Sequence, residues 1–381
     1  MGSYNNRNYM EVDLKKIKQN AFQIKKYIGT TKLMSVVKTD AYGFGIDTIP
    51  KHIELYSDWF AVATSEEALA IREQNIQKPI LVLGYVMDSQ ISEMIQNNVT
   101  LTTVSLAYVE HLNELVPEGK KLDVHIKIDT GMNRIGLYSK NHDLVRFVEQ
   151  AEKILALKNI NVTGIYTHFA AAGSTKDEDI EFTKHQYHTF KSVVQQLEAL
   201  GYELGVRHCS NSDAILNYPE FNMDMVRVGK FFFGFGQDAA IKELGTTLPF
   251  KLVGRVIRVK EISKGETVSY DRAFTAEKLT KIATISIGFG DGLRKNMYKE
   301  LEIIVNGKRA HVTGKINMDF MMVDVTDISD VNEGDYALII GTGGSETIMP
   351  YEVARIAEAS TPEIISVVNK RVPRFYINDD E

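Results

Sequence analysis

A chain of 381 residues exceeds one ordinary core, so its length calls for two domains or for one barrel with an attachment. Its 44% hydrophobic and 25% charged residues are those of a globular protein, and a formal charge of -6 offers no broad attraction for nucleic acid or anionic lipid. The single Cys209 excludes an internal disulfide framework and no apolar run is long enough to span a bilayer, so the expected class is a small-molecule enzyme of a reducing cytoplasm. The opening Met1-Gly2-Ser3 resembles an expression scar, so the cytoplasmic expectation is held for this segment, which could be part of a longer membrane-attached protein.

Eight short β-rich apolar runs follow in order, at 33–37, 59–62, 80–83, 101–104, 124–128, 162–166, 205–208 and 225–228. Most are separated by stretches of helical periodicity, at 65–74, 88–97, 140–158 and 177–200. Strand and helix in alternation predict a parallel sheet. Eight units suit closure into a (βα)8 barrel of the TIM type, and an open doubly wound sheet would bring a dinucleotide fingerprint that is absent. The texture changes near Pro249. Short alternating strands are expected at 253–259, 282–287, 301–305, 321–325 and 336–340, with turns at Lys264-Gly265, Asn306-Gly307 and Glu333-Gly334. A helix over 349–359 and a strand over 374–377 complete a mainly β second domain. The resulting division is 8–244 for the barrel and 245–381 for the β domain. The loop 341–345 reads as a turn, since it lacks the Lys-Ser or Lys-Thr of a phosphate cradle.

Polar residues cluster after the barrel strands: Lys38 after the first, Arg134 beyond the fifth, His168 after the sixth, Asn211-Ser212 after the seventh, and Arg227-Val228-Gly229 at the eighth. A parallel barrel gathers such strand-end residues on one rim, which is where its active sites lie. Lys38 leaves an apolar strand just before Tyr42, Gly43 and Gly45. Partial desolvation lowers a lysine's pKa toward a reactive amine, and glycines let the backbone turn close to a bulky group, which points to pyridoxal phosphate. The alternative at this stage is a solvated lysine before a turn.

The segments Ser35-Val36-Val37-Lys38-Thr39-Asp40-Ala41-Tyr42-Gly43-Phe44-Gly45, Lys127-Ile128-Asp129-Thr130-Gly131-Met132-Asn133-Arg134-Ile135-Gly136 and Thr167-His168-Phe169-Ala170 resemble those of the alanine racemase family. So do Asn211-Ser212, Val226-Arg227-Val228-Gly229, Val268-Ser269-Tyr270, Gly288-Phe289-Gly290-Asp291-Gly292 and Asn317-Met318-Asp319. The likeness runs nearly end to end, and it is the joint order and spacing of these pieces that carry it. It implies a homodimer using pyridoxal 5'-phosphate to interconvert L- and D-alanine, with active sites completed across the subunit interface; no metal is expected, and no membrane contact by this segment.

By that resemblance Lys38 holds the cofactor and serves the α-proton of the D-enantiomer, while Tyr270 serves that of the L-enantiomer from the opposite face. A phenol, ordinarily near pKa 10, needs local stabilisation of its anion to act as a base near neutrality. Arg227 is expected at the pyridine nitrogen. A guanidinium keeps its proton, so the ring nitrogen stays largely unprotonated and the carbanion less stabilised, which limits transamination. His168 couples Arg227 to the tyrosine base. Tyr42, Asn211, Ser212 and the amides of Gly229 and Lys230 are expected around the phosphate, and Leu83 is counted among the cofactor contacts. Arg134 is assigned to the substrate carboxylate or the cofactor's phenolic oxygen, with the Met318 backbone contributed by the partner subunit. Lys127, in an apolar strand where an unpaired ammonium is costly, is the candidate for carbamylation, which would reverse its charge and aim Arg134. Each has a plainer reading: Tyr270 as an aromatic anchor, Arg227 in a surface ion pair, His168 as structural, Asn211-Ser212 as a helix start, and Lys127 with its head group reaching solvent.

Two positions depart from the family. Thr361-Pro362-Glu363 stands where a tyrosine is usual before Arg371-Val372-Pro373-Arg374, and Lys230 replaces an aliphatic residue. The first is expected to widen the side-chain pocket and the second to add attraction for phosphate. Serine or serine/alanine racemisation is therefore the nearest alternative, followed by an amino-acid decarboxylase and by a non-catalytic protein that binds pyridoxal phosphate.

Overall fold

The computed structural model describes residues 5–378, so the Met1-Gly2-Ser3 reading lies outside the described residues. The described residues form two compact units: residues 21–41 with 46–231, and residues 5–20 with 42–45 and 232–378. The first strand, β1 (Asn8–Asp13), pairs within the second of these.

In the barrel unit the strands are β2 (Lys32–Val36), β3 (Trp59–Val62), β4 (Ile80–Val82), β5 (Val99–Thr102), β6 (Leu122–Lys127), β7 (Ile160–Tyr166), β8 (Val206–His208) and β9 (Met225–Val228). They form one 8-stranded sheet in the order β8-β7-β6-β5-β4-β3-β2-β9, with every pairing parallel. The seam between β8 and β9 carries the bonds Asp224 N–H to Arg207 O at 3.1 Å and Arg227 N–H to Ser210 O at 3.0 Å, so the barrel is nearly closed. Capping sets where the outer helices begin. The Thr64, Ser105 and Asp143 side chains accept from backbone amides at the starts of Ser65–Glu73, Leu106–Leu115 and Leu144–Leu155. The helix Leu144–Leu155 buries Phe147, Val148, Ala151 and Ile154, the stripe that its periodicity implies. It does not begin at residue 140 as expected: Asn141 and His142 adopt positive φ, and Asp143 starts the helix afresh. The fourth barrel strand lies two residues earlier than the expected 101–104.

The second unit is built on β10 (Phe250–Ile262), followed by the short β11 (Thr267–Val268) and β12 (Phe274–Thr275). Next come β13 (Thr280–Ile285), β14 (Glu302–Val305), β15 (Lys308–His311), β16 (Met321–Asp324), β17 (Tyr336–Gly343), β18 (Glu346–Ile348) and β19 (Arg374–Ile377). β10 is long enough to pair with β1, β13 and β17 at once, all antiparallel, and β1 pairs parallel with β19. A domain beginning at Asn8 would include β1 in the barrel; instead the strand completes this sheet, because its partners Leu252, Val253 and Gly254 lie beside it. Asn306 and Gly307, at φ 47° and 78°, make the tight turn joining β14 to β15. The turn expected at 341–345 narrows to Gly344-Ser345, since β17 continues to Gly343 and pairs with β18. Among the described residues no helix is long and apolar enough to cross a membrane.

Candidate active site

Lys38 follows β2 and opens the helical turn Lys38–Gly43. The turn is left-handed, with Thr39, Asp40, Ala41 and Tyr42 at φ 58°, 54°, 50° and 59°. Left-handed backbone costs L-residues roughly 1–2 kcal/mol each, so a run of four must be held from outside. Glu67 supplies the hold: its carboxylate accepts from the Asp40 amide at 3.0 Å and the Ala63 amide at 2.8 Å, while Asp40 accepts from the Ile46 amide at 2.7 Å. The Lys38 amine is lowered from its ordinary pKa by burial and then by Arg134, against a smaller raising effect of Glu67. A neutral amine is thereby made easier to reach.

The barrel unit beside it is rich in cations, of which Lys127 and Arg227 are buried and Arg134 is exposed. Lys127, at the end of β6, is 2% exposed and is pushed down to about 7 by burial, then by Arg134 and Arg227. Arg134 lies on a loop whose backbone is gripped by Asp129, which accepts from the amides of Gly131, Asn133 and Arg134 at 3.1, 2.9 and 3.0 Å. Arg227, on β9, is 4% exposed. Its Nη1 donates to His208 Nδ1 at 2.8 Å and to His208 O at 3.2 Å; its Nη2 donates to Thr167 O, Cys209 O and His168 Nδ1 at 2.8, 3.0 and 3.2 Å. Only the Nε–H of this guanidinium is left without a partner among the described residues.

This arrangement fixes the histidine tautomers. Arg227 can only donate, so His208 and His168 must accept at Nδ1 and carry their protons on Nε2. His208 Nε2 then donates to His125 Nδ1 at 3.0 Å, and His125 in turn carries its proton on Nε2. Burial followed by Arg227 lowers all three imidazoles, His125 to about 3, so the positive charge stays on Arg227. Tyr166 stacks on His208 with centroids 4.8 Å apart, lies 5.1 Å from the Arg227 guanidinium carbon, and shares a 2.9 Å hydrogen bond with Thr102.

Ser212, on the loop after β8, and Gly229, after β9, meet where Gly229 N–H donates to Ser212 Oγ at 3.2 Å. The Asn211 side-chain carbonyl is occupied with the Asp213 and Ala214 amides, at 3.1 and 3.0 Å, as a helix-start reading expects. The Lys230 ammonium is bound to Asp213 Oδ1 at 2.5 Å, so its side chain stands in an ion pair and is not a free charge. Leu83 follows β4 and is half-buried.

In the other unit, the Tyr42 ring packs 5.5 Å from Phe233, and burial pushes its phenol up to about 12. Tyr270 and Met318 are 65% and 56% exposed, and it is their backbones that are fixed. Ser269, at φ 69°, donates from Oγ to Lys315 O at 2.5 Å and to Asn317 Oδ1 at 3.2 Å, which ties the Tyr270 turn to the strand of backbone carrying Met318. Gly314 lies where a Cβ would come within 2.9 Å of the Ser269 side chain and the Val268 carbonyl. The Met318 carbonyl accepts from the Gly290 amide at 2.8 Å and from Arg371 Nη2 at 3.3 Å. Arg371 in turn binds Asp319 at 2.8 Å and Asp291 at 2.7 Å; Asp291, with no exposed side-chain surface, also binds Arg7 at 2.5 Å and the Gly288 amide at 2.8 Å.

The family model of the alanine racemase N-terminal domain matches residues 12–237, and that of the alanine racemase C-terminal domain matches residues 250–376. The chain belongs to the alanine racemase family. It is 36% identical over 375 residues to the alanine racemase of Methanococcus maripaludis, covering 97% of this chain and 98% of that one. It is 35% identical over 376 residues to alanine racemase 1 of Caldanaerobacter subterraneus subsp. tengcongensis, covering 97% and 95%. Among solved structures it resembles alanine racemase from Bacillus anthracis with bound L-Ala-P, with a TM-score of 0.88, 28% identity, and coverage of 100% and 97%. Alanine racemase from the D-cycloserine producing Streptomyces lavendulae gives a TM-score of 0.90 at 27% identity, with coverage of 99% and 98%.

For an alanine racemase family member, the barrel's residues suit a pyridoxal phosphate guest. They offer an amine inclined to be neutral, a guanidinium with one N–H to spare for a ring nitrogen, and a hydroxyl beside an amide for an anion. The surplus of Lys38, Lys127, Arg134 and Arg227 also calls for an anionic partner. The structure brings Lys38, Lys127, Arg134, His168, Ser212, Arg227 and Gly229 together in one unit, and Tyr42, Tyr270 and Met318 in the other. Sequence reasoning missed Glu67, His125, Tyr166, His208 and Arg371 as supports. Asp129 and Asp291 lay inside the quoted family segments, which was the available signal. At the departure from the family pattern, Thr361–Ser366 is a short helix with Pro362 in its first turn and no tyrosine.

Proposed function

We propose that this protein interconverts L- and D-alanine with pyridoxal 5'-phosphate on Lys38, as a homodimer in which Tyr270 and Met318 are contributed by the second copy. The supporting observation is the Lys38 amine, lowered by burial and by Arg134 at the end of the first barrel strand. In this reading residues 8–244 carry the cofactor-binding barrel and 245–381 the β domain, with β1 lent to the second sheet. When bound, the cofactor supplies an aldehyde for the amine and a conjugated ring that takes up the electron pair left by α-proton removal.

The chain's own residues do the rest. Lys38 Nζ takes or returns the α-proton on one face, and Tyr270 Oη does so on the other. Arg227 would hold the ring nitrogen through its Nε–H and, since it cannot release a proton, keeps that nitrogen unprotonated. His168, locked as the Nε2–H tautomer by Arg227, has a proton to share toward the tyrosine base. Ser212, Tyr42, Asn211 and the amides of Gly229 and Lys230 would hold the phosphate, and Leu83 would pack on the ring. Arg134 and the Met318 backbone would hold the substrate carboxylate. Lys127, with a pKa of about 7, carries enough neutral amine near neutrality to take up carbon dioxide as a carbamate, which would turn a fourth cation into a partner for Arg134. A carbamate carbon seen by nuclear magnetic resonance with labelled bicarbonate, absent in Lys127→Met, is the expected result.

The deciding experiment offers single enantiomers of alanine in heavy water. Uptake of deuterium at Cα with chiral inversion is expected; carbon dioxide release would indicate a decarboxylase, and retention of both hydrogen and configuration a simple binder. Pro362, in place of the usual tyrosine, favours a second reading as a serine or serine/alanine racemase. Rates for L-serine within about tenfold of L-alanine would move the reading there, because an added hydroxyl alone is weakly rejected by an apolar pocket.

A further inference from the structure

The corner formed by the loops after β8 and β9 holds an ion pair that the reaction does not use. Ser212 and Gly229, 3.2 Å apart through a hydrogen bond, are the groups assigned above to the phosphate. The next residue on each loop is charged: Asp213 follows Ser212, and Lys230 follows Gly229. Their side chains meet, Lys230 Nζ to Asp213 Oδ1 at 2.5 Å, with 25% and 36% of the side chains exposed. Gly173 leaves room for the Asp213 carboxylate, since a Cβ there would come within 3.0 Å of its carboxyl carbon. Its amide is bound by Asn211 Oδ1 at 3.1 Å. Lys230 also lies 5.2 Å from the Phe231 ring centre.

A carboxylate one residue from a hydroxyl meant for a phosphate dianion repels that dianion, and an ammonium paired with the carboxylate offsets the repulsion. We propose that the Lys230 side chain is a positioning and charge-compensating group: it sets phosphate affinity through Asp213, by cancelling that carboxylate and bolting the two loops together, and not by contact of its ammonium with the phosphate. The inference rests on the proposed function and concerns the affinity for the cofactor.

The test titrates cofactor-free protein with pyridoxal phosphate and, separately, with pyridoxal, which lacks the phosphate, following bound chromophore by absorbance. Lys230→Met is expected to raise the Kd for pyridoxal phosphate about tenfold while leaving that for pyridoxal within about twofold. Asp213→Asn with Lys230→Met should return the pyridoxal phosphate Kd to within about threefold of the unaltered protein, since partners in one ion pair are not additive. Lys230→Arg, which keeps the pair, should also stay within about threefold and serves if the methionine variant does not fold. A double variant as weak as Lys230→Met would overturn the proposal, because the lysine would then act on the phosphate directly. Equal weakening for pyridoxal would overturn it as well, showing a general structural defect. An unaltered protein that takes up neither compound would instead defeat the proposed function itself.

Discussion

The two units prepare their functional residues by opposite means. In the barrel unit the preparation is electrostatic: Lys38, Lys127 and Arg227 are withdrawn from water, all three feel Arg134, and three imidazoles are kept neutral beside Arg227. In the other unit Tyr270 and Met318 are left exposed, and the structure fixes their backbones through Ser269, Gly314, Arg371 and Asp291. Charge is effective where water is excluded; placement needs only a stiff frame. Changes to the barrel's charged groups should therefore appear in pH dependence, and changes to the frame that fixes the second unit's backbone in KM and stability.

The largest effect is expected at Lys38, where Lys38→Ala should lower racemisation by a factor on the order of 10⁴, as measured by loss of optical rotation. Tyr270→Phe tests whether the exposed side chain is more than a wall. Racemisation should fall by about 10²–10⁴, with Cα exchange of L-alanine lost and that of D-alanine retained. Loss of both exchanges together would end the two-face assignment and leave Tyr270 as a positioning group.

Lys127 tests the electrostatic half through stability. Its folded pKa of about 7 lies below its ordinary 10.5, so between these values the unfolded chain binds more protons and stability rises with pH. Below about 7 both states are protonated and the contribution no longer changes. In buffer free of carbon dioxide, Lys127→Met should abolish a rise on the order of 4 kcal/mol across that window, read by urea unfolding at several pH values. An unchanged slope would mean that the ammonium finds water or a partner.

Asp291→Asn tests the frame. It leaves Arg7 and Arg371 facing an amide; because their side chains are 38% and 39% exposed, water replaces part of the loss. A destabilisation of about 2–3 kcal/mol is expected, with KM raised through the Met318 carbonyl and no change in the pH dependence of kcat. A displaced pH profile would show the second unit acting by charge after all.

What the sequence disclosed followed from how local the signal was. β3 and β9 were found at their true bounds because each is a compact apolar run beside turn residues, and β4 was found within one residue. β1 was missed because the residues that make it a strand, Phe250 through Gly254 and Arg374 through Ile377, lie hundreds of positions away. The left-handed turn after Lys38 was invisible too, for Thr39-Asp40-Ala41-Tyr42 contains no glycine and the turn is held by Glu67, 27 positions from Asp40, and by the Asp40 bond to the Ile46 amide. Lys38, Arg134 and Arg227 announced themselves by type and order. Their supports did not: His125 and His208 are single residues within strands, and what makes them functional is the donor direction imposed by Arg227.

The smallest effect is expected where the barrel wall holds no charge to lose. Tyr166 is stacked on His208 and close to Arg227, yet burial pushes its phenol up to about 12, so it stays neutral over the working range. Tyr166→Phe keeps the ring and removes only the 2.9 Å hydrogen bond to Thr102, leaving that buried hydroxyl without its partner. A loss of about 1 kcal/mol in urea unfolding follows, and Thr102→Val on the same background should restore most of it, because no polar group then remains unpaired. The pH profile of racemisation should not move in either variant. If Tyr166→Phe shifts that profile, the hydroxyl contributes to the charge balance around Arg227, and the electrostatic half of the molecule extends into its neutral wall.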